Sequence, residues 1–183
     1  MALSLKIPVI GLLLLLGACR SDPIQYHTLT PVQPGGTARN DGVQIQIESV
    51  SVPPQVDRPQ IVVRQGNSGL AILETQWWGA SLGEELRSAL VDQLASTSSG
   101  AKVLLRVDVQ RFDTVPGQYA LLDTQWRLRR SDNATSLTCR STLQTPSGAT
   151  LDDLVAAHQH NLKQLAALIL QAATSHRSTC PST

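Results

Sequence analysis

Apolar and polar residues alternate through much of this chain, and the alternation marks where strands can form. From Val43 to Val52, the apolar positions Val43, Ile45, Ile47, Val50 and Val52 are set against Gln44, Gln46 and Glu48. The phase slips near Ser49, which predicts a β-bulge. Pro53-Pro54 ends that strand, because proline cannot donate to a ladder. Ile61 to Arg64 and Leu70 to Thr75 flank the cluster Gly66-Asn67-Ser68-Gly69, a pattern that predicts a hairpin. Two longer runs follow. One places Val103, Leu105, Val107 and Val109 on a single face and closes on Phe112. The other buries Ala120, Leu122, Thr124, Trp126 and Leu128 and turns Tyr119, Leu121, Asp123, Gln125 and Arg127 the other way. Thr135 to Leu143 completes an antiparallel meander. Ile24 to Leu29 also alternates and suits a short first strand.

Two stretches change to a period of roughly 3.6 residues. Trp77-Trp78 marks the handover into the first, where Ser81 and Glu84 form a capping-box signature. Leu82, Leu86, Ala89, Leu90 and Leu94 then share one face. The second opens on Thr150 as N-cap, with Asp152 and Asp153 near its positive end. Leu151, Leu154, Val155, Leu162, Leu165, Leu168 and Ile169 line its apolar face, and His176 and Arg177 suit its negative pole. The expected fold is therefore α+β: a single domain with a mainly antiparallel sheet of about six strands and both amphipathic helices on one face.

The N-terminus has a different logic. Lys6 precedes an apolar run from Ile7 to Leu16, too short for a permanent bilayer helix, which needs about 20 residues. The run ends in Leu16-Gly17-Ala18-Cys19. A basic start, an apolar run and small residues before the cut read as an export signal, and the four terminal residues resemble a bacterial lipobox. That resemblance implies cleavage between Ala18 and Cys19 and acylation of Cys19. Arg20 to Asp41 holds Pro23, Pro31, Pro34, Gly35 and Gly36 and reads as a tether that spans on the order of 70 Å when extended. The chain has three cysteines. With Cys19 taken by lipid, an exported chain leaves Cys139 and Cys180 to pair.

Composition narrows the function by exclusion. A formal net charge of +1 over 183 residues gives no footprint for nucleic acid. Neither a Cys-x-x-Cys motif nor a phosphate-cradling glycine loop occurs. His158 and His160 lie two apart on a helix and so face apart, and His158 falls on the apolar face. Asp57 beside Arg58 reads as a turn-locking acceptor and a solvated charge. No nucleophile, base and oxyanion set survives, so neither catalysis nor a metal is expected. Trp78 and Trp126 read as core anchors. Trp77 must point away from Trp78, either to an exposed interface position or to a second side of the core.

Taken together, the lipobox, Tyr26-His27-Thr28-Leu29, Val56 to Arg64, Trp78 with Leu82, Leu86, Leu90 and Leu94, Val107 to Phe112, Trp126-Arg127-Leu128 and the helix around Leu154-Val155 resemble the PqiC-like lipoproteins, the auxiliary lipoproteins of ABC-type and MCE-type transport systems. The resemblance implies a non-enzymatic outer-membrane lipoprotein on the periplasmic face. Its implied partners are a periplasm-spanning MCE-domain protein and an inner-membrane permease, and its implied assembly is a homo-oligomer. Arg20 after Cys19, in place of aspartate, agrees with outer-membrane sorting in enteric bacteria. The only attached group expected is lipid on Cys19. The expected division of the chain is 1–18 signal peptide, 19–42 lipidated N-terminus and tether, 43–177 domain, and 178–183 tail. Asp57, Arg58, Arg64 and Trp77 are the candidate partner-docking residues. A structural or assembly-factor lipoprotein and a lipid-binding carrier are the alternative readings.

Overall fold

The computed structural model describes residues 22–32, 43–95, 100–130, 136–175 and 179–182. The signal segment, Cys19, most of the expected tether, and His176 and Arg177 lie outside these residues. In chain order the elements are β1 (Gln25–His27), β2 (Val43–Ser51), β3 (Gln60–Gln65), β4 (Gly69–Trp78), α1 (Leu82–Gln93), β5 (Ala101–Val115), β6 (Tyr119–Arg130), β7 (Ser136–Pro146) and α2 (Leu151–Thr174).

The fold is α+β, and its strands divide into two sheets. One has the order β2-β5-β6-β7 and the other β1-β4-β3. Strands β5, β6 and β7 form the antiparallel meander, and β3 with β4 forms the hairpin. The first strand of each sheet departs from that pattern: β2 lies parallel to β5, and β1 lies parallel to β4. Register slips between Ile47 and Ser49, so Glu48 is the bulged residue. Gly66 and Gly117 hold positive φ in the β3–β4 and β5–β6 turns, a conformation glycine adopts without steric cost.

Both helices pack on the four-stranded sheet, α1 over β2 and α2 across β6 and β7, and they touch each other. Leu82, Leu86, Leu90, Leu162, Leu165 and Ile169 are buried in one core with Val103, Leu105, Val107, Leu122 and Trp126. The indole Nε1 of Trp126 donates to Ser141 Oγ at 3.0 Å, which satisfies its one polar atom inside the core. Asn161, fully buried on α2, donates to Ala120 O at 3.0 Å and accepts from Thr145 Oγ1 at 2.7 Å. A disulfide joins Cys139 to Cys180 and fastens the tail after α2 to β7.

Two local expectations are corrected. Trp77 and Trp78 belong to β4, because β1 and β3 on either side give the strand ladder partners out to its last residue. Ser81 is the N-cap of α1, yet its side chain makes no capping hydrogen bond and Glu84 is exposed. The inward acid is Glu85. Its Oε2 accepts from Thr28 Oγ1 at 2.8 Å and from the Leu29 amide at 2.9 Å. Leu29 is itself fully buried. The folded body therefore begins at β1, inside the stretch that composition assigns to a tether.

Two outcomes follow from these contacts. Glu85→Ala strands two donors, one of them a buried backbone amide. It is expected to cost about 1–3 kcal/mol and to speed hydrogen exchange at Leu29 ahead of the rest of the core. Unchanged Leu29 exchange would contradict the clamp.

The second outcome concerns His158. It stacks on Phe112 with ring centroids 3.9 Å apart, and its Nε2 lies 2.9 Å from Thr114 Oγ1. Burial pushes its pKa down to about 3. The unfolded chain takes up a proton near pH 6.5 that the folded chain refuses. The stabilisation from neutral His158 is therefore complete above that pH and drains away as pH falls towards 3. Between pH 7 and pH 5, urea unfolding should show a loss of about 2 kcal/mol from this group. His158→Gln, which cannot titrate, should remove that slope whatever its stability at pH 7.

Candidate functional site

Since both helices cover one face of the four-stranded sheet, no described helix covers the other. Strand alternation assigns the uncovered face its residues: Lys102, Leu104, Arg106 and Asp108 from β5, Asp123, Gln125, Arg127 and Arg129 from β6, and Thr138, Arg140 and Thr142 from β7. Register places Arg106 directly opposite Arg127, and Leu104 opposite Arg129. Like charges directly opposite across a ladder disfavour the pairing. The bulge at Glu48 supplies the counter-charge. Its Oε1 accepts from Arg129 Nη2 at 3.2 Å, and its Oε2 lies 3.6 Å from Arg106 Nη2. Arg127 Nε donates to Thr138 Oγ1 at 3.2 Å. Glu48, Leu104, Arg106, Arg127 and Arg129 line a hollow of about 130 Å³. Two guanidinium groups thus share one carboxylate while the third bonds only a hydroxyl, leaving this part of the face net positive.

Farther along the same face the charges pair off. Arg140 grips Asp123 with two bonds, Nε to Oδ1 at 3.0 Å and Nη2 to Oδ2 at 2.6 Å, and Thr142 Oγ1 donates to Oδ1 at 3.1 Å. The Arg140 guanidinium, with help from Thr142 and against the cost of burial, holds the Asp123 carboxyl below the usual carboxylate range.

The structure separates the residues that the sequence offers for docking. Asp57 and Arg58 lie in the turn after Pro53, whose carbonyl accepts from Val56 N at 3.0 Å and Asp57 N at 3.2 Å. Asp57 is exposed, and its Oδ1 lies 3.7 Å from where a side chain on Gly83 would start. That places a negative charge by the first turn of α1, where the helix dipole favours it. Arg58 is half-buried. Arg64 sits near the other end of β3 and turns towards β5, with Nε 2.6 Å from Asp113 Oδ1. Arg111 also bonds Asp113, which is buried. These three residues, together with Val56, Val62 and Phe112, line a cavity of about 50 Å³. Arg64 therefore ties the small sheet to the large one. Trp77 stands on β4 opposite Tyr26 on one side and Gln60 on the other. It is half-buried, and its Nε1 donates to Glu74 O at 2.9 Å.

Among the described residues, no cluster of His, Cys, Asp and Glu could hold a metal, and no helix is long and apolar enough to cross a membrane. The arginine group was missing from the sequence-based candidates. Its signal was present in the polar phase of two strands, Lys102 and Arg106 on one and Arg127 and Arg129 on the next, but only the register puts them side by side.

The family model described as "ABC-type transport auxiliary lipoprotein component" matches residues 27–170, a span that contains most of both sheets and both helices. Two crystal structures share the fold. A protein from Xanthomonas campestris is 21% identical with a TM-score of 0.61, covering 81% of this chain and 93% of its own. An uncharacterized protein is 20% identical with a TM-score of 0.65, covering 82% of this chain and 98% of its own. No curated protein matches the chain in sequence.

Proposed function

The chain belongs to the ABC-type transport auxiliary lipoprotein family, and from that premise we propose that it is a non-enzymatic adaptor, held by acyl chains on Cys19 at the periplasmic face of the outer membrane. In this reading it receives a periplasm-spanning MCE-domain protein, itself coupled to an inner-membrane permease, at the outer end of an intermembrane lipid pathway. It does so as a homo-oligomer. The observation that carries the proposal is the family match over residues 27–170, preceded by the lipobox Leu16-Gly17-Ala18-Cys19. Acylation at more than one chain gives stable attachment, and confinement to the membrane raises the effective concentration for a partner there. Covalent lipid is the only group beyond protein that the role requires.

Neither hollow described above suits a carrier. Pockets that enclose small molecules run to about 300–1,000 Å³. The hollows beside Asp113 and Glu48 measure about 50 and 130 Å³, too little for an acyl chain. The uncovered sheet face, by contrast, offers exposed guanidinium groups of the kind that pair with carboxylates on another protein. We assign the main docking role to Arg106, Arg127 and Arg129, and a secondary one to the Asp57–Arg58 turn. Arg64 leaves the docking set, because its charge is engaged by Asp113.

Two experiments test this. Cys19→Ser should remove the acyl mass from the mature chain and move the protein from the membrane fraction to the soluble periplasm. Wild-type protein found unacylated and soluble would overturn the anchoring. Arg127→Glu should weaken co-purification of the MCE-domain protein from solubilised membranes. The same change relieves the Arg106–Arg127 repulsion, so stability should hold or rise by up to about 1 kcal/mol. Undiminished co-purification would remove the arginine face from the docking account.

A further inference from the structure

We infer that the face formed by the exposed Ile24 and Tyr26 and the half-buried Trp77 rests on the lipid surface that holds Cys19, so that the body is seated on the membrane and does not hang free on a tether. The inference rests on the lipid-anchored reading above and adds a contact that acylation alone does not require.

The first observation is reach. Extended chain spans at most about 3.6 Å per residue. Ile24 follows Cys19 by five positions, which keeps it within about 18 Å of the lipidated sulfur. The strand that begins at Gln25 is committed to the fold by its parallel pairing with β4 and by the Glu85 clamp at Thr28 and Leu29. The longer proline- and glycine-rich stretch comes after β1, so it adds nothing to the distance between membrane and body.

The second observation is chemistry. Tyr26 is 65% exposed and Ile24 44%. Tyr26 and Trp77 are register partners and meet edge to face with ring centroids 6.3 Å apart. Tryptophan and tyrosine concentrate where bilayer meets water, their rings among the headgroups. The Trp77 Nε1 proton is already bonded to Glu74 O, so the ring can leave water without stranding a donor. The neighbouring ladder positions Gln25, Gln60 and Gln76 are uncharged, and no charged side chain on them must be desolvated. A polar or acidic protein partner has little to recognise here, whereas a headgroup layer suits the patch.

The other two tryptophans make the test specific. Trp78 and Trp126 are 3% and 1% exposed, so emission that lipid can quench belongs to Trp77. Full-length acylated protein, purified from membranes, is placed in phosphatidylcholine vesicles with or without a nitroxide near the carboxyl end of the acyl chains. The expected result is quenching of part of the tryptophan emission. That part should be absent in Trp77→Phe. It should also be lost in Ile24→Ser/Tyr26→Ser, which stays folded by circular dichroism and vesicle-bound through its acyl chains. Acylated, vesicle-bound wild-type protein whose Trp77 is not quenched and remains open to acrylamide would overturn the seating and leave the anchor standing. Shielding from acrylamide without nitroxide quenching would show that protein, a second copy included, covers the face, and would also overturn it. An intact mass without acyl chains would overturn the anchored reading itself and with it the argument from reach.

Discussion

One-sided burial of the four-stranded sheet is the constraint on which this architecture depends. Both helices are apolar along one stripe, and both place that stripe on the same face of β2-β5-β6-β7. The strands must then hold their alternation in the stretches under the helices, because a slip of one residue would carry the side chains beyond it to the wrong side. Val103, Leu105 and Val107 meet Leu128 and Trp126 under the helices, and the intervening residues have nowhere to go but out. The outward set is where arginines can stand without desolvation. The charged face is thus a by-product of how the core is built, and Glu48 reaches it as the next outward position of β2 after Gln44 and Gln46, with the register slip falling just beyond it.

The small sheet answers a different need. Three residues of β1 pair with β4, too little to hold a strand alone. The segment is fixed from beyond its end, where Leu29 enters the core and Glu85 takes the Thr28 hydroxyl and the Leu29 amide. An acid in the first turn of a helix is ordinarily read as a partner for the helix dipole. Here its contacts convert the chain's first described segment from a leash into a part of the body. In the lipid-anchored reading proposed above, a load applied through Cys19 would fall first on these few contacts, and the mechanical link would run through α1.

Much of this was legible from periodicity. The bulge near Ser49, the buried phase of β6, the helical stripe ending in Ile169 and the burial of His158 all follow from local spacing, because each depends on residues within a few positions of one another. What periodicity does not encode is the partner. Val43 to Ser51 reads equally well beside any strand, and its parallel match with β5 depends on a connection that runs through the small sheet and α1. The same limit explains Arg64. Its neighbours in sequence suggest a surface edge, while the carboxylate that claims it, Asp113, lies far along the chain at the end of β5. Trp77-Trp78 was misplaced for a related reason: two aromatics before a capping residue look like a boundary, until β1 and β3 extend the ladder to them.

The interior also bears on how such a protein can be specific. Its buried polar groups are largely used up in holding elements together: Asn161 between β6 and β7, Ser141 under Trp126, Asp113 between the sheets. Such networks fix one arrangement of the core. The outside is freer, because side chains there are cheap to change where packing does not constrain them. The arginine hollow and the aromatic face are two such surfaces, one charged and one apolar, held by different sheets. Arg64, Arg111 and Asp113 join those sheets, so the relative placement of the two surfaces depends on an ion-pair cluster around the buried Asp113 that touches neither.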